Sequence, residues 1–516
     1  GSWTASNDPM SKWQNCRAAI QYLNIFLENA DKVAWAKDPN VHIMYCDRLK
    51  GEAYGLRALN MYYLLMAHGG WTEDGKLLGI PNITTVDNMS TDFNVPRDTF
   101  QACIDQIFSD VEKATEYLPL DYNDISDANI PAKYKAIGVT NASDYNRVNG
   151  THIRGRLTAR IAEAIRAQAA LLAASPAYNT GTTVTWANAA DNAAIVLDRI
   201  NGLGGIDPTG WTWYMNKTEI NSLGSGAVPK EILWRGDKDN STEDYAMGLS
   251  QEKSNYPPSL YGSGRINPTQ NLVDAFPMAS GYPISDPASG YSSSDPYTNR
   301  DPRLTAYVLY NETTYGTNSK KIVTGTYGTN EDALNKESTS TRTGYYLRKL
   351  LRDDCNPDPT YNTAQYHYPV RIRFTEIFLA YAEAANEAWG PTNGNGHSYS
   401  AYDVIKAIRA RAGVGTNGGD AYLESIKNDK DKMRELIRNE RRIELCFENR
   451  RFWDLRRWKA NLNESAKGMQ IDKVDGALVY KVIPVEARSY KDYMYHGPVP
   501  YSETIKWSNL QQNQGW

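Results

Sequence analysis

The sequence predicts a mostly α-helical protein in which two helical blocks flank a long irregular middle. Three observations carry that reading. Apolar residues recur at steps of three and four before residue 200 and again between about 370 and 460, as they do on one face of an α-helix. From Asn201 to Tyr368 this periodicity is lost, and Gly, Pro, Ser, Asn and Tyr dominate. The stripes near 160–200 are rich in alanine, which lets neighbouring helices approach closely.

In chain order, Trp13, Cys16, Ile20, Leu23 and Leu27 mark a first helix near 9–29. Leu49, Leu56, Leu59, Tyr63 and Met66 mark a second, which stops at Gly69 and Gly70. A third opens at Asp98, with Gln101 three places on in a capping-box pattern. Its inner face is Phe100, Ile104, Ile107, Val111, Ala114 and Leu118, and Pro119 ends it. Leu157, Ile161, Ala164 and Leu171 mark a fourth helix ending at Ser175 and Pro176; Trp186, Ala189, Ala193, Val196 and Ile200 mark its partner. Helix pairs of this size, with small residues at the contacts, predict tetratricopeptide-like hairpins, although the consensus of roughly 34 residues is not met.

A segment as long as 201–369 cannot be one structureless loop, so short strands are expected in it, at Ala306 to Tyr310 and Tyr345 to Leu347. Phe374, Ile377, Tyr381, Ala384 and Ala388 resume the helical pattern up to Gly390 and Pro391. A shorter helix through Tyr402, Ile405, Ile408 and Ala412 ends at Gly413. The expected organisation is one domain, 1–516. Its helical scaffold covers about 9–200 and 370–460, its loop-rich binding portion about 201–369, and a loop-rich tail follows over 461–516.

The most informative run is Arg434 to Lys459, RELIRNERRIELCFENRRFWDLRRWK. Leu436, Ile443 and Phe447 share a helical stripe, and Glu440 sits inside it where an apolar residue is due. A buried carboxylate needs a partner, and a guanidinium can hold it with two parallel hydrogen bonds, so Arg409 or Arg411 is expected against it. Within the run, Arg441 with Glu444, Glu448 with Arg451 and Arg450 with Asp454 have helix-neighbour spacing. Phe452, Trp453 and Trp458 read as an aromatic plug at its end.

Composition excludes several classes of function. A net charge of -4 and a pI near 6.0 give no electrostatic case for nucleic acid. The five cysteines are widely spaced, with neither a disulfide framework nor a CxxC metal pattern. No apolar run approaches the length of a membrane span, and GSWTASNDPM has no signal-peptide pattern. His42, His68, His152, His367, His397 and His496 show no HExxH and no paired spacing, so no metal or other cofactor is expected. Gly413 to Gly418 fits GxGxxG but follows a helix, which reads as a helix end and turn. Asp237, Asp239 and Ser241 resemble the start of a calcium loop but lack its glycine and closing glutamate.

The positive signal is aromatic: 35 Tyr and 13 Trp stand against 9 Phe, a bias toward rings that tolerate a half-wet surface. Sugars lay patches of axial C–H against such rings and need polar groups at the rim for their hydroxyls. Trp71, directly after the helix-ending glycines and followed by Glu73, Asp74 and Lys76, fits such a platform with Asp74 on its rim. Trp211, Trp213 and Tyr214 in GWTWYMNK form a second candidate. Tyr256, Tyr261, Tyr282, Tyr291 and Tyr297, in Gly/Pro/Ser surroundings, form a third.

Several segments resemble the SusD/RagB family in the same order along the chain. Besides the Arg434 to Lys459 run they are LKGEAYGLRALNMYYLLMAHGG (Leu49 to Gly70), VPRDTFQACIDQIFSDVEKATEYLP (Val95 to Pro119) and INPTQNLVDAFPMASGYPI (Ile266 to Ile284). NRDPRL (Asn299 to Leu304), GYYLRKL (Gly344 to Leu350), RFTEIFLAYAEAANE (Arg373 to Glu387), IRARAG (Ile408 to Gly413) and the ending GPVPYSETIKWSNLQQNQGW complete the set. The resemblance implies four tetratricopeptide-like units and a non-enzymatic lipoprotein at the cell surface. That lipoprotein would be held in the outer membrane by an N-terminal lipid anchor on a preceding segment. It further implies an oligosaccharide or polysaccharide ligand and a SusC-like TonB-dependent transporter as partner. Two other readings stay open: a transporter lid that binds peptide or little ligand, and a glycosidase, which needs two carboxylates about 5–10 Å apart in an open cleft.

Overall fold

The computed structural model describes residues 3–224, 226–236 and 247–516, so the Asp237, Asp239 and Ser241 segment lies outside the described residues. Helices α1 (Trp13–Asn29), α2 (Pro39–His68), α3 (Phe100–Tyr117), α4 (Ala159–Ala174) and α5 (Trp186–Asp198) form the first block. Helices α6 (Phe374–Trp389), α7 (Ala401–Arg411), α8 (Lys430–Glu444) and α9 (Arg451–Arg457) form the second. From α1 to α6 each helix packs on the next, α5 meeting α6 across the whole irregular middle, and α6 also carries α7 and α8. One apolar core runs through the stack, from Trp13 and Ile20 through Leu64, Ile107, Ala167 and Ala193 to Tyr381 and Ile437. The fold is mostly α, a scaffold of tetratricopeptide-like hairpins whose irregular middle carries short strands.

Helix α2 shows how the local sequence sets this up. The Asp38 carboxylate accepts from the amides of Asn40 and Val41, with Pro39 at the first helical position. Partway along, a Cβ at Gly55 would lie 2.4 Å from Leu157 Cδ2, and one at Gly51 2.6 Å from Leu118 Cγ. Helix α2 therefore touches both leucines with bare backbone. Gly55→Val should lose about 1–3 kcal/mol by overpacking, read as a lower urea midpoint at constant slope; an unchanged midpoint would show that Leu157 moves aside freely.

Helix α3 departs from expectation at its start. Its cap is Thr99, whose hydroxyl accepts from the Ala102 amide, while Asp98 instead accepts from the Asn82 amide at 2.7 Å. Gln101 turns outward to Asp105 and the Thr183 amide, so no capping box forms. The preceding loop outbids the helix for Asp98.

Short antiparallel pairs join the loops: β1 (Gly70–Trp71) with β2 (Leu77–Leu78), β3 (Ile232–Arg235) with β6 (Val370–Arg373), and β4 (Val308–Leu309) with β5 (Tyr346–Leu347). The expected strands near 306–310 and 345–347 thus pair with each other. The tail holds more order than its sequence was read to have. Strands β7 (Ala466–Val474) and β8 (Ala477–Glu486) form a long hairpin turned by Asp475 and Gly476, with φ of 49° and 84°. An Asp-Gly pair between alternating residues is the signal for that turn.

The Arg434 to Lys459 run is two helices rather than one. Phe447 and Asn449 take φ of 64° and 60° and break α8 from α9. Glu440 is fully buried and accepts from Arg409 Nη1 at 3.0 Å and Arg303 Nη1 at 2.8 Å. Arg411 goes instead to Glu444, 2.7 Å away, beside Arg303 at 2.9 Å and Arg373 at 3.2 Å. The pairs expected within the run do not form: the break separates Glu448 from Arg451, while Arg441, Glu444 and Arg450 turn to partners on other elements or beyond the break. Glu448 pairs with Arg373 and Lys349, Arg450 with Glu376, and Asp454 with Arg441 and Arg457. Trp458 is buried and donates to Glu383 at 2.7 Å, while Phe452 and Trp453 pack edge to face at 4.8 Å.

Burial by itself would raise the Glu444 carboxyl, yet Arg411, Arg373 and Arg303 hold it well below the usual carboxylate range. Against the same burial, Glu383 and Asp454 are lowered by Arg457 and Arg441, and Glu448 by Arg373 and Lys349. A carboxyl more acidic in the folded than in the unfolded chain stabilises the fold above its unfolded value and loses that contribution as pH falls. The melting temperature should therefore drop progressively below about pH 4. A melting temperature constant from neutral pH to well below that value would contradict it.

Candidate ligand-binding cleft

Trp71 reaches the surface because four pieces of chain converge behind it. Helix α2 ends at Gly69, and the β1–β2 hairpin then turns the indole toward the segment after α4, where Trp71 Nε1 donates to the Ala177 carbonyl at 2.9 Å. The C-terminal chain closes the other side, the Gln514 amide donating to the Trp71 carbonyl at 2.8 Å. Arg97, itself buried, holds these pieces together. It donates to the carbonyls of His68, Leu78, Gly79 and Gln511 and to Asn513 Oδ1, all within 2.7–3.1 Å. Burial among neutral acceptors lowers its pKa to about 10.

These contacts shape an open cleft of about 560 Å³. Trp71, Tyr493 and Tyr495 line it, each half-buried. Pro176 and His496 also line it, and Lys459, Asp492, Thr180 and Gln514 supply polar groups. The His496 ring is no free base: burial depresses its pKa to about 4, and Nε2 donates to the Ala177 carbonyl at 3.0 Å. Asp74 stands in the adjoining turn, exposed. The Lys76 ammonium at 2.7 Å and then the Thr72 hydroxyl draw its pKa down to about 2, and Gln511 donates to it at 3.0 Å. A second cavity of about 620 Å³ lies along the same C-terminal segment, lined by Trp3, Met10, Phe452, Tyr490 and Met494 among others. Trp516 joins the two, its ring 4.9 Å from Trp3 and 5.1 Å from Tyr493.

The remaining candidates from the sequence do not gather there. Trp213 is fully buried beneath the Arg373 guanidinium, 4.7 Å from its ring. Tyr214 and Tyr256 are buried too, their hydroxyls given to the carbonyls of Ala306 and Arg352. These three are buried, a correction to their reading as exposed rings, although Trp213 and Tyr214 border a separate cavity of about 300 Å³ with Gln251 and Tyr368. Trp211 is half-buried, its carbonyl accepting from Tyr307. Tyr282 packs against Tyr422, while Tyr297 stacks on Tyr310 at 4.3 Å and Tyr291 lies under Arg300. Tyr261 is 55% exposed but stands alone with Asp358. Sequence reading missed Tyr490, Tyr493, Tyr495, Trp516 and Trp3; the density of rings in SYKDYMYHG was the signal available.

The protein is a repeat-type frame of stacked helical hairpins that carries an open, ring-walled cleft. The SusD family model matches residues 230–516, and a second model, described as starch-binding associating with outer membrane, matches residues 2–138. The chain belongs to the SusD family. SusD-like protein P2 of Formosa agariphila is 28% identical over 144 residues, a match spanning 28% of this chain and 25% of that protein. Among solved structures, a SusD-like protein from Bacteroides fragilis NCTC 9343 is 23% identical, with a TM-score of 0.69 over 100% of this chain and 88% of that one. A SusD-like carbohydrate binding protein from the same organism is 21% identical, with a TM-score of 0.66 over 99% and 88%. These two likenesses show the fold.

Proposed function

We propose that the protein is a non-enzymatic glycan-binding component of the outer membrane that captures an oligosaccharide or polysaccharide at the cell surface. The observation that carries this is the Trp71 cleft, where three half-buried rings flank an open volume with a cation, a carboxylate and amides at hand. Rings of that kind receive the C–H faces of sugars, and the polar groups receive hydroxyls. The second cavity, reached through Trp516, extends the ring-lined surface toward a chain longer than one sugar. Family membership supports the reading, and the description of the second matching model supports the location. By the same membership, the captured glycan passes to a SusC-like TonB-dependent transporter, to which a lipid anchor would keep the protein close.

Binding without turnover also fits the residues. Among the described residues that line the cleft, Asp492 is the single carboxylate, whereas glycoside hydrolysis uses a facing pair. Affinity electrophoresis against a panel of polysaccharides tests the proposal. At least one should retard the protein, with dissociation constants on the order of micromolar to millimolar and no release of reducing sugar. Migration unchanged by every polysaccharide, together with co-purification with a transporter, would replace capture by a lid function.

A further inference from the structure

The short helix Ser250–Asn255 and the loop 352–367 bring three metal-ligating side chains together, away from the cleft. The Glu252 carboxylate, the Cys355 thiol and the His367 imidazole each offer one atom, and the three atoms lie within 4.8 Å of one another. All are buried, Glu252 at 0% exposure, Cys355 at 1% and His367 at 8%. A carboxylate so placed needs compensation. Oε1 of Glu252 has the Arg352 amide at 3.0 Å and His367 Nε2 at 2.8 Å, but Oε2 has no hydrogen-bond partner among the described residues. Nor does any lysine or arginine among them pair with Glu252.

The contacts around these atoms are those of a ligand set. His367 Nδ1 lies 2.9 Å from the Gln365 carbonyl. An imidazole that donates there turns the lone pair of Nε2 toward Glu252, the outer bond that commonly fixes a metal-binding histidine. Two acceptors then face each other across 2.8 Å and require a cation between them. A proton serves that pair but leaves Oε2 without a partner among the described residues. Cys355 Sγ reaches the Gly248 carbonyl at 3.9 Å and the Gln365 backbone, both weak contacts for a thiol. A divalent metal engages all three.

We propose that Glu252, Cys355 and His367 bind a zinc-class divalent cation. The donor set decides the class: thiolate and imidazole favour Zn²⁺ and disfavour Ca²⁺ and Mg²⁺, which take oxygen ligands. Thiolate and carboxylate together offset the charge of the ion. Binding forms bonds to Sγ, Nε2 and a carboxylate oxygen and releases to solvent the Cys355 thiol proton and any proton held on Nε2. Tetrahedral coordination puts the donor atoms about 3.3–3.6 Å from one another, so the widest separation, within 4.8 Å, closes by at most about 1.5 Å while the Glu252–His367 pair, at 2.8 Å, opens by about half an ångström or more. His367 also lines a cavity of about 300 Å³ beside Gln251 and Tyr368, which supplies an entry path and room for water as fourth ligand. The ion would clamp the 352–367 loop to the 250–255 helix.

The chelator-stripped chain, titrated with ZnCl₂ in a calorimeter and with CoCl₂ by absorbance, tests this. One equivalent should bind, Zn²⁺ should raise the melting temperature, and Co²⁺ should give a thiolate charge-transfer band. Cys355→Ser should abolish that band, and His367→Gln should weaken binding roughly tenfold or more. CaCl₂ should give no heat, and Cys103→Ser, at a buried cysteine elsewhere, should change nothing. Circular dichroism shows whether each variant folds; should Cys355→Ser fail to fold, Glu252→Gln, which keeps the side-chain shape, is to show the same loss. The proposal is overturned by the absence of saturable zinc binding, by cobalt binding without a thiolate band, or by a band that survives in Cys355→Ser.

Discussion

Arg303→Met should cost about 3–5 kcal/mol of stability, measured as a shift of the urea unfolding midpoint. The guanidinium is completely buried and meets Asp301, Glu440 and Glu444 at 2.7, 2.8 and 2.9 Å. Methionine fills the volume but leaves three buried carboxylates short of a partner, and Asp301 loses its side-chain cation altogether. Glu440 keeps Arg409, and Glu444 keeps Arg411 and Arg373, so the loss falls short of the full electrostatic sum. Arg303→Lys returns the charge without the fork and should fall between. Lys506→Ala provides the contrast, since its Glu503 pair is 58% and 22% exposed and should be worth at most about 1 kcal/mol. A loss for Arg303→Met no larger than that of Lys506→Ala would show that the network contributes little to stability.

Trp71→Ala should weaken the retarding polysaccharide by about 2 kcal/mol, roughly 30-fold. The indole is the largest ring in the cleft, and its edge is fixed by Ala177, so it meets a sugar face without ordering itself first. Tyr493→Ala removes the neighbouring wall that packs on Trp516 and should lose a smaller share. Tyr261→Ala serves as the control: its ring is exposed but lies outside the residues lining the cleft, so affinity should hold within about twofold. If the Trp71 and Tyr493 variants fold normally and bind as the parent does, the cleft is not the glycan site.

Much of the frame was legible in the chain because helices advertise themselves locally. The stripe of α3 and the alanine faces of α4 and α5 need only neighbours three and four residues away to be recognised. Glu440 betrayed its burial by standing in an apolar stripe, and Arg409 was found near in sequence. Arg303 was not, because 137 residues separate it from Glu440 and no local pattern links them.

The cleft shows the same division more sharply. Trp71 and Asp74 could be singled out because they follow the glycines that end α2, whereas Tyr493 and Tyr495, with Trp516 against Tyr493, come from a tail read as loop-rich with no candidate contacts in it. Trp213 and Tyr256 looked like surface rings, since a Gly- and Pro-rich neighbourhood marks irregular backbone, not exposure; only the guanidinium over one and the carbonyl beneath the other placed them inside. By itself the sequence determined the helices, their order and the aromatic character of the protein, since each follows from residues within a turn or two of one another. Which rings face solvent, which carboxylates share an arginine and which loops meet was decided by tertiary structure. Those outcomes depend on long-range packing, where burial and desolvation set the energy of every contact.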